Sequence, residues 1–412
     1  MPAKRSNIMN YFNQHASEFH LIFILGLLSG LPQSLFGTTL QAWLITAGYS
    51  VSLVSNLGLL YLVFLIRIAL APISDNFFIK TLGRRKSWIL VAQLALFLCI
   101  EFLALCNPTQ HLLITIFLGI LLAIFSSIQD LAIDAHRIEY LKPHQFGWGA
   151  VLAVYGCRIA MLLSGGLSLI IAEHFSFNIA YACLGLFFLF GALITYFSKE
   201  PEVEIIRAKR PFLKPYTNLF NSTAFTSIFG MLFCLKFSEV FISNSSILII
   251  PFLMKGLALS LSKIAFCNKV VGFSAQVAGG FLAAFCIVRY NIMSLILNFG
   301  LLLVASNCGF WLLTKVPNSD TLLYLVIIFE NLASGLLATV LVTFLMQSVN
   351  KQYTASQFSF WIFLSLIPRI ISAPLVGVIL PLINWSGLFI LSFVVGACFV
   401  FFWKKLHSQI AA

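Results

Sequence analysis

The chain has 412 residues, of which 60% are hydrophobic and only 9% charged, with 42 Phe and a formal net charge of +12. Its mean hydropathy of +0.99 excludes an ordinary soluble domain. The excess of positive charge does not point to nucleic acid, because most of it lies in the links and tails around long apolar stretches.

A helix needs about 20 apolar residues to cross the hydrocarbon layer. Twelve stretches qualify: 20–46, 50–73, 86–106, 111–131, 148–171, 178–198, 220–250, 260–286, 292–313, 321–346, 357–382 and 385–403. They predict an all-α membrane protein of twelve transmembrane helices, with no room for a soluble catalytic domain. The first stretch is long and lacks a small-residue cleavage pattern, so it reads as a retained span. With the N-terminus inside, the inner loops and tails hold seventeen of the 25 Lys and Arg, against three in the outer links (Lys255, Lys263 and Lys315). This bias predicts that both termini are cytoplasmic. Trp88, Trp148 and Trp403 fall near inner ends, and Trp311 and Trp385 near outer ends, as interfacial anchors do.

The most polar interior stretch, Lys199–Tyr216, divides six spans from six. The expected organisation is an N-terminal six-helix half (1–198), a cytoplasmic linker (199–219) and a C-terminal half (220–412). The halves echo one another. Gln145-Phe146 leads to Arg158-Ile159, and Gln357-Phe358 leads to Arg369-Ile370. Gly48 precedes Ser52-Leu53 by four residues, and Gly256 precedes Ser260-Leu261 by four. The offsets of 208 to 212 are half the chain, which argues for tandem duplication. Two parallel six-helix halves with a substrate site at mid-membrane are the architecture of major facilitators.

Five basic side chains interrupt the apolar spans: Arg67, Arg158, Lys236, Lys269 and Arg369. A cation near the bilayer centre costs at least ~2.5–3.5 kcal/mol on insertion scales, and such residues face a partner or a wet cavity. At ~1.5 Å of rise per residue, Arg158 and Arg369 lie ~18–20 Å from their inner ends, Lys236 is roughly as deep, and Lys269 and Glu330 lie about 13 Å in from the outer side. These depths allow one central cavity. Basic groups outnumber acidic ones in this set, which favours an anionic cargo gripped by guanidinium and ammonium groups.

The acidic residues are few and each invites a role. Lys236 and Glu239 are three apart on one helix face, as an ion pair or as a site for substrate or proton. Glu330 beside Asn331 is a mid-span carboxylate, suited to carrying a proton or to bridging Lys269 or Arg369. Gln129 and Asp130 end span 4, with Asp134 one turn on and Arg137 three further. They form either an inner-gate charge network or a contact for substrate and proton. Arg67, eight residues before Asp75, can snorkel to the inner surface or serve the gate. Thr38, Thr39 and Gln41 are polar positions in span 1, suited to sugar hydroxyls or to helix–helix hydrogen bonds. Glu101 has no obvious partner in the sequence.

Nine scattered Cys form no CxxC pair and have no His at metal spacing, so they read as small buried hydrophobes. The seven His lie at span ends, in loops or in tails, and HExxH, GxSxG and P-loop patterns are absent. The expectation is a protein without enzymatic activity, cofactor or metal.

Between spans 2 and 3, Asp75 is followed by Gly83-Arg84-Arg85-Lys86. Facilitators carry an Asp and a Gly-Arg-Arg/Lys cluster here, usually about three residues apart rather than eight. This wider spacing resembles the AmpG-type muropeptide permease family of the major facilitator superfamily. Similar runs are Gly30-Leu31-Pro32 with Thr39 to Leu44, Ala71-Pro72, Ser127-Ile128-Gln129-Asp130, Met161 to Leu167, Asn268-Lys269, Ala305-Ser306-Asn307, Phe329 to Leu332 and Ala355-Ser356-Gln357-Phe358. The resemblance spans about residues 26–403. It departs from the family in Glu239, where Asp is common, and in lacking the additional spans of the longer enterobacterial members.

The resemblance implies a monomeric secondary transporter of the bacterial inner membrane. It would import anhydro-muropeptides, GlcNAc-anhydroMurNAc with or without peptide, from periplasm to cytoplasm by proton symport for peptidoglycan recycling. Relatives that import carboxylate siderophores leave that cargo as the alternative. The expected substrate contacts are Gln41, Gln129, Arg158, Lys236, Lys269, Asn331 and Arg369. The expected proton carriers are Asp130, Glu239 and Glu330. The expected gate is Arg67, Asp75, Arg84, Arg85, Asp134 and Arg137, with Asp75 latched to the basic cluster.

Overall fold

A computed structural model describes residues 15–49, 63, 65–201, 212–242, 249, 252–259, 263–264 and 266–411. Among these, eleven helices are long and apolar enough to cross a membrane. The second predicted span, 50–73, falls mostly outside the described residues, and its C-terminal end lies in α2 (Ile66–Asn76).

The chain divides into two compact units. The first holds residues 1–215 together with 349–359, and the second holds 216–348 and 360–412. A short stretch from late in the chain thus belongs to the first unit.

In the first unit, α1 (Ala16–Thr46) passes through a π-helical turn at Leu35–Thr39. It is followed by α2, α3 (Arg84–Leu105), α4 (Leu112–Tyr140), α5 (Phe146–His174) and α6 (Phe177–Phe197). α4 runs two turns beyond its predicted end at 131, because its polar last turns are held by ion pairs rather than by apolar packing. α1 and α5 meet backbone to backbone: a Cβ on Gly30 would lie 2.0 Å from the Cys157 carbonyl oxygen, and one on Gly156 would lie 2.8 Å from that of Phe23. Small residues at such crossings let membrane helices approach closely. Leu35, Phe36, Leu40, Trp43, Leu96, Ile100, Leu122, Tyr181 and Phe188 form one buried apolar cluster of this unit. The Tyr181 hydroxyl donates to the Leu35 carbonyl at 2.8 Å, satisfying a backbone acceptor at the π turn.

In the second unit, a short α7 (Lys214–Phe220) ends the linker and straddles the boundary. Then come α8 (Phe225–Ile242), π turns at Phe252–Gly256 and Phe266–Gly272, α9 (Phe273–Arg289), α10 (Ile292–Lys315) and α11 (Asp320–Gln347). α12 (Thr354–Ala397) starts in the first unit and bends at Asn384, where φ is 58°; α13 (Phe399–Ala411) closes the chain. Phe225, Phe229, Phe233, Phe237 and Phe241 recur every four residues along α8, and their rings stack or abut at 5.0–6.3 Å. α9 and α11 repeat the close packing of α1 and α5: a Cβ on Gly335 would sit 2.1 Å from the Gln276 carbonyl oxygen.

Candidate transport site

Three polar constellations interrupt these apolar helices, two in the first unit and one in the second. The first lies where the C-terminal ends of α2 and α4 meet the N-terminal end of α3. Asp75 Oδ1 accepts from Arg84 Nη2 at 2.8 Å and from Arg85 Nη2 at 2.7 Å. Its Oδ2 accepts from the Ser356 amide at 3.0 Å and hydroxyl at 2.6 Å. Arg85 is fully buried and also grips Glu139, with Nη2 at 2.6 Å and Nε at 3.0 and 3.1 Å from its oxygens. Arg84 adds the Gln352 carbonyl at 2.9 Å. Burial pushes the Asp75 carboxyl up, but the guanidinium charges of Arg85 and Arg84, with the Ser356 hydroxyl, hold it below its ordinary value.

The backbone just before α3 explains the glycine of the Gly-Arg-Arg-Lys run. Gly83 has φ of 97°, and a Cβ there would fall 2.5 Å from the Glu200 carboxyl carbon. Glu200 in turn accepts from the Arg85 amide at 2.7 Å and the Lys86 amide at 3.0 Å, so it satisfies the start of α3. The eight-residue spacing from Asp75 is taken up by the segment after Asn76, where Phe77 and Ile79 are exposed.

The second constellation is deeper. Asp130 on α4 pairs with Arg67 on α2, accepts from the Ser29 hydroxyl, and accepts from Gln33 Nε2 at 3.3 Å. Arg67 Nε also donates to Ser127 Oγ at 3.3 Å, so Arg67 turns to α4. Asp134 lies 3.0 Å from Arg137 and 3.8 Å from Arg67. Asp130 and Asp134, assigned from sequence to separate proton and gate roles, thus share Arg67. Gln129 is fully buried and donates to the Leu28 carbonyl at 2.8 Å. Arg158 on α5 is half-buried over the Tyr155 ring, 5.7 Å from its centroid. Gln41 lies half-buried just past the π turn of α1, while Thr39 there bonds Ser168 at 2.7 Å.

The third constellation belongs to α8, α9 and α11. Lys236 Nζ and Glu239 Oε2 are 2.6 Å apart, a direct ion pair one turn along α8. The Ser334 hydroxyl on α11 donates to Glu239 Oε1 at 2.9 Å, and Gln276 Nε2 on α9 donates to Ser334 Oγ at 3.3 Å. One turn before Ser334, Glu330 is only 1% exposed and neither of its carboxyl oxygens accepts a hydrogen bond among the described residues. Asn331 is buried and donates to the Ile327 carbonyl at 2.8 Å. Arg369 is exposed on α12. Lys269 falls in the Phe266–Gly272 turn, and its side chain lies outside the described residues.

Sequence reasoning passed over Glu139, Ser29, Gln33, Ser334 and Gln276, and saw Ser356 only as part of a run. For Glu139 a signal existed: the chain has only 13 acidic residues, and this one stands two residues from Arg137. Ser334 likewise stands four residues from Glu330, on the same helix face.

A family model described as Major Facilitator Superfamily matches residues 22–373. The chain is similar to the anhydromuropeptide permease of Escherichia coli K12, 27% identical over 396 residues that cover 94% of this chain and 79% of the permease. A Rickettsia bellii chain with the transporter name AmpG 1 is 26% identical over 394 residues, covering 91% of this chain and 94% of that one. Among solved structures, FucP in the outward conformation aligns with a TM-score of 0.72 at 12% identity, covering 94% of this chain and 98% of FucP. A bacterial homologue of the iron transporter ferroportin, outward-facing, aligns with a TM-score of 0.71 at 13% identity, covering 95% and 99%.

Proposed function

The chain belongs to the Major Facilitator Superfamily, and we propose that it is a secondary transporter that imports anhydro-muropeptides into the cytoplasm by proton symport. Its place is the bacterial inner membrane, with both termini cytoplasmic, as the Lys and Arg bias of the loops supports. The two halves are 1–198 and 220–412, joined by the linker 199–219, and the working unit is one chain.

The observation that carries the proton coupling is Glu330. An ionised carboxylate buried without a donor is costly, while a protonated one is much less so. Such a group is suited to hold a proton at one stage of a cycle and release it when its surroundings change. Asp130 differs, since Arg67, Ser29 and Gln33 all satisfy it. Its ion pair with Arg67 serves as a charge that the cycle rearranges, and the Asp75 network serves as the inner gate.

The cargo reading rests on the ordered resemblance and on cations at transport depth. Muropeptides offer carboxylates to Arg158, Lys236 and Arg369, and sugar hydroxyls to Gln41. The decisive experiment is uptake of labelled GlcNAc-anhydroMurNAc into proteoliposomes with and without a protonophore. Gradient-driven accumulation is the expected result, and Glu330→Gln should abolish accumulation while leaving exchange. Uptake of a carboxylate siderophore in place of the disaccharide would transfer the same mechanism to the other cargo. Accumulation by Glu330→Gln equal to that of the parent would remove Glu330 from the cycle.

A further inference from the structure

Between Asp75 and Gly83 the chain forms an ordered loop. The Phe77 amide donates to the Ile73 carbonyl at 2.8 Å and closes the last turn of α2. The amides of Leu82 and Gly83 donate to the Ile79 carbonyl at 3.1 and 3.0 Å. The indole Nε1 of Trp88 donates to the Phe77 carbonyl at 2.6 Å and ties the loop to the first turns of α3. These bonds fix which side chains the loop presents.

The groups it presents are amphipathic. Phe77 is 59% exposed and Ile79 is 47% exposed. Lys80 comes next; it is the one cation between Asn76 and Gly83, and it is exposed too. The cations that follow the loop are engaged by the protein itself. Arg84 and Arg85 hold Asp75 and Glu139, and Lys86 Nζ donates to the carbonyls of Tyr196 and Ser198 at 2.8 and 2.7 Å.

Trp88 sets the level of the loop in the membrane. It stands one turn inside α3, a helix long and apolar enough to cross the bilayer, and its ring is half-buried. An indole in that position belongs at the boundary of hydrocarbon and headgroups, where one end is apolar and the other wet. Phe77 is bonded to it directly and so lies at the same boundary. Two large apolar groups there, followed by an ammonium on a flexible stem, match a leaflet surface: acyl chains take the first two, and a headgroup phosphate takes the third.

We propose that the loop 77–80 is a phospholipid site, in which Phe77 and Ile79 seat in the edge of the leaflet at this end of the helices and Lys80 binds an anionic headgroup. The inference depends on neither the cargo nor the proton coupling. It gives the wider spacing after Asp75 a use. Phe77 follows Asp75 by two residues, so a lipid on the loop holds the end of α2 in the geometry that the Arg84, Arg85 and Ser356 bonds require. A ligand that binds this geometry stabilises it over any other.

The test uses the full chain in nanodiscs of phosphatidylcholine, with and without phosphatidylglycerol. Hydrogen exchange is followed in peptides covering 76–83, and a thermal melt of each sample checks that it is folded. In the parent, phosphatidylglycerol should slow exchange of the loop by about fivefold, the weight of one lysine at an anionic surface. Salt at about 0.5 M should erase most of that difference by screening. Lys80→Gln should lose the dependence on phosphatidylglycerol, and Lys80→Arg should keep it. Phe77→Ser with Ile79→Ser should exchange faster in both kinds of disc. Equal exchange of the parent in the two kinds of disc overturns the inference. So does a Lys80→Gln protein that keeps the parent's lipid dependence, or a double serine variant that exchanges like the parent. Protection that appears only in discs holding two copies of the chain assigns the surface to a second copy and overturns it as well.

Discussion

Arg85 is the most deeply committed charge among the described residues: fully buried, and shared between Asp75 and Glu139. A buried pair adds little net stability, but deleting one partner leaves an uncompensated charge and costs about 3–5 kcal/mol. Glu139→Ala should therefore destabilise the detergent-solubilised protein by about 3–5 kcal/mol, seen as a lowered unfolding midpoint in a thermal melt. An unchanged midpoint would mean that Asp75 alone suffices for Arg85. Asp75 also sets a pH dependence. Its folded value lies below the ordinary 3.8, so the stability it contributes is present above about pH 4 and disappears as the pH falls through the lowered value. Ser356→Ala removes one source of that lowering, so its acid unfolding should begin at a higher pH than that of the parent. Coincident acid profiles would count against the Ser356 contact.

At the scale of elements, the apolar spans were legible because hydrocarbon demands length and composition, and both are local properties. Their pairings were not. Gly30-Leu31-Pro32 was visible as a run, but nothing in it says that Gly30 meets the Cys157 carbonyl at the crossing of α1 and α5. Gly30→Ala should disrupt this crossing and cost about 1–3 kcal/mol or more, with low yield of folded protein on size-exclusion chromatography. Gly166→Ala on α5 is the control, because a Cβ there meets nothing within 4 Å, and it should behave like the parent. The π turn at Leu35–Thr39 was equally hidden, since its stabilising contact, the Tyr181 hydroxyl on Leu35, comes from a residue over a hundred positions away. Lys236 and Glu239 were readable as a pair because three residues on a helix share a face, whereas the third member, Ser334, arrives from another helix. The partner of Arg67 was hidden for the same reason: the sequence allowed a snorkelling or a gate role, and Asp130, to which it pairs, comes from another helix.

At the scale of the molecule, composition alone established the class, and one polar stretch in the middle led to the expectation of six spans on either side. What the linear order concealed is that residues 349–359 belong to the first unit. The backbone passes from the first unit to the second after Pro215, comes back at Val349, and leaves again after Ser359. Residues 1–215 are thus only part of the first unit, which also takes in 349–359. A fragment ending at 215 lacks Ser356, and the Oδ2 atom of Asp75 loses both of its donors. Split-gene expression makes this visible. Residues 1–215 produced alone should be degraded or melt early, and supplying 216–412 as a separate polypeptide should rescue them. A fragment of 1–215 that is equally stable with and without its complement would argue otherwise. The consequence reaches gene history as well: if the halves arose by duplication of a six-helix ancestor, the stretch around Ser356 is where the two copies ceased to be separable.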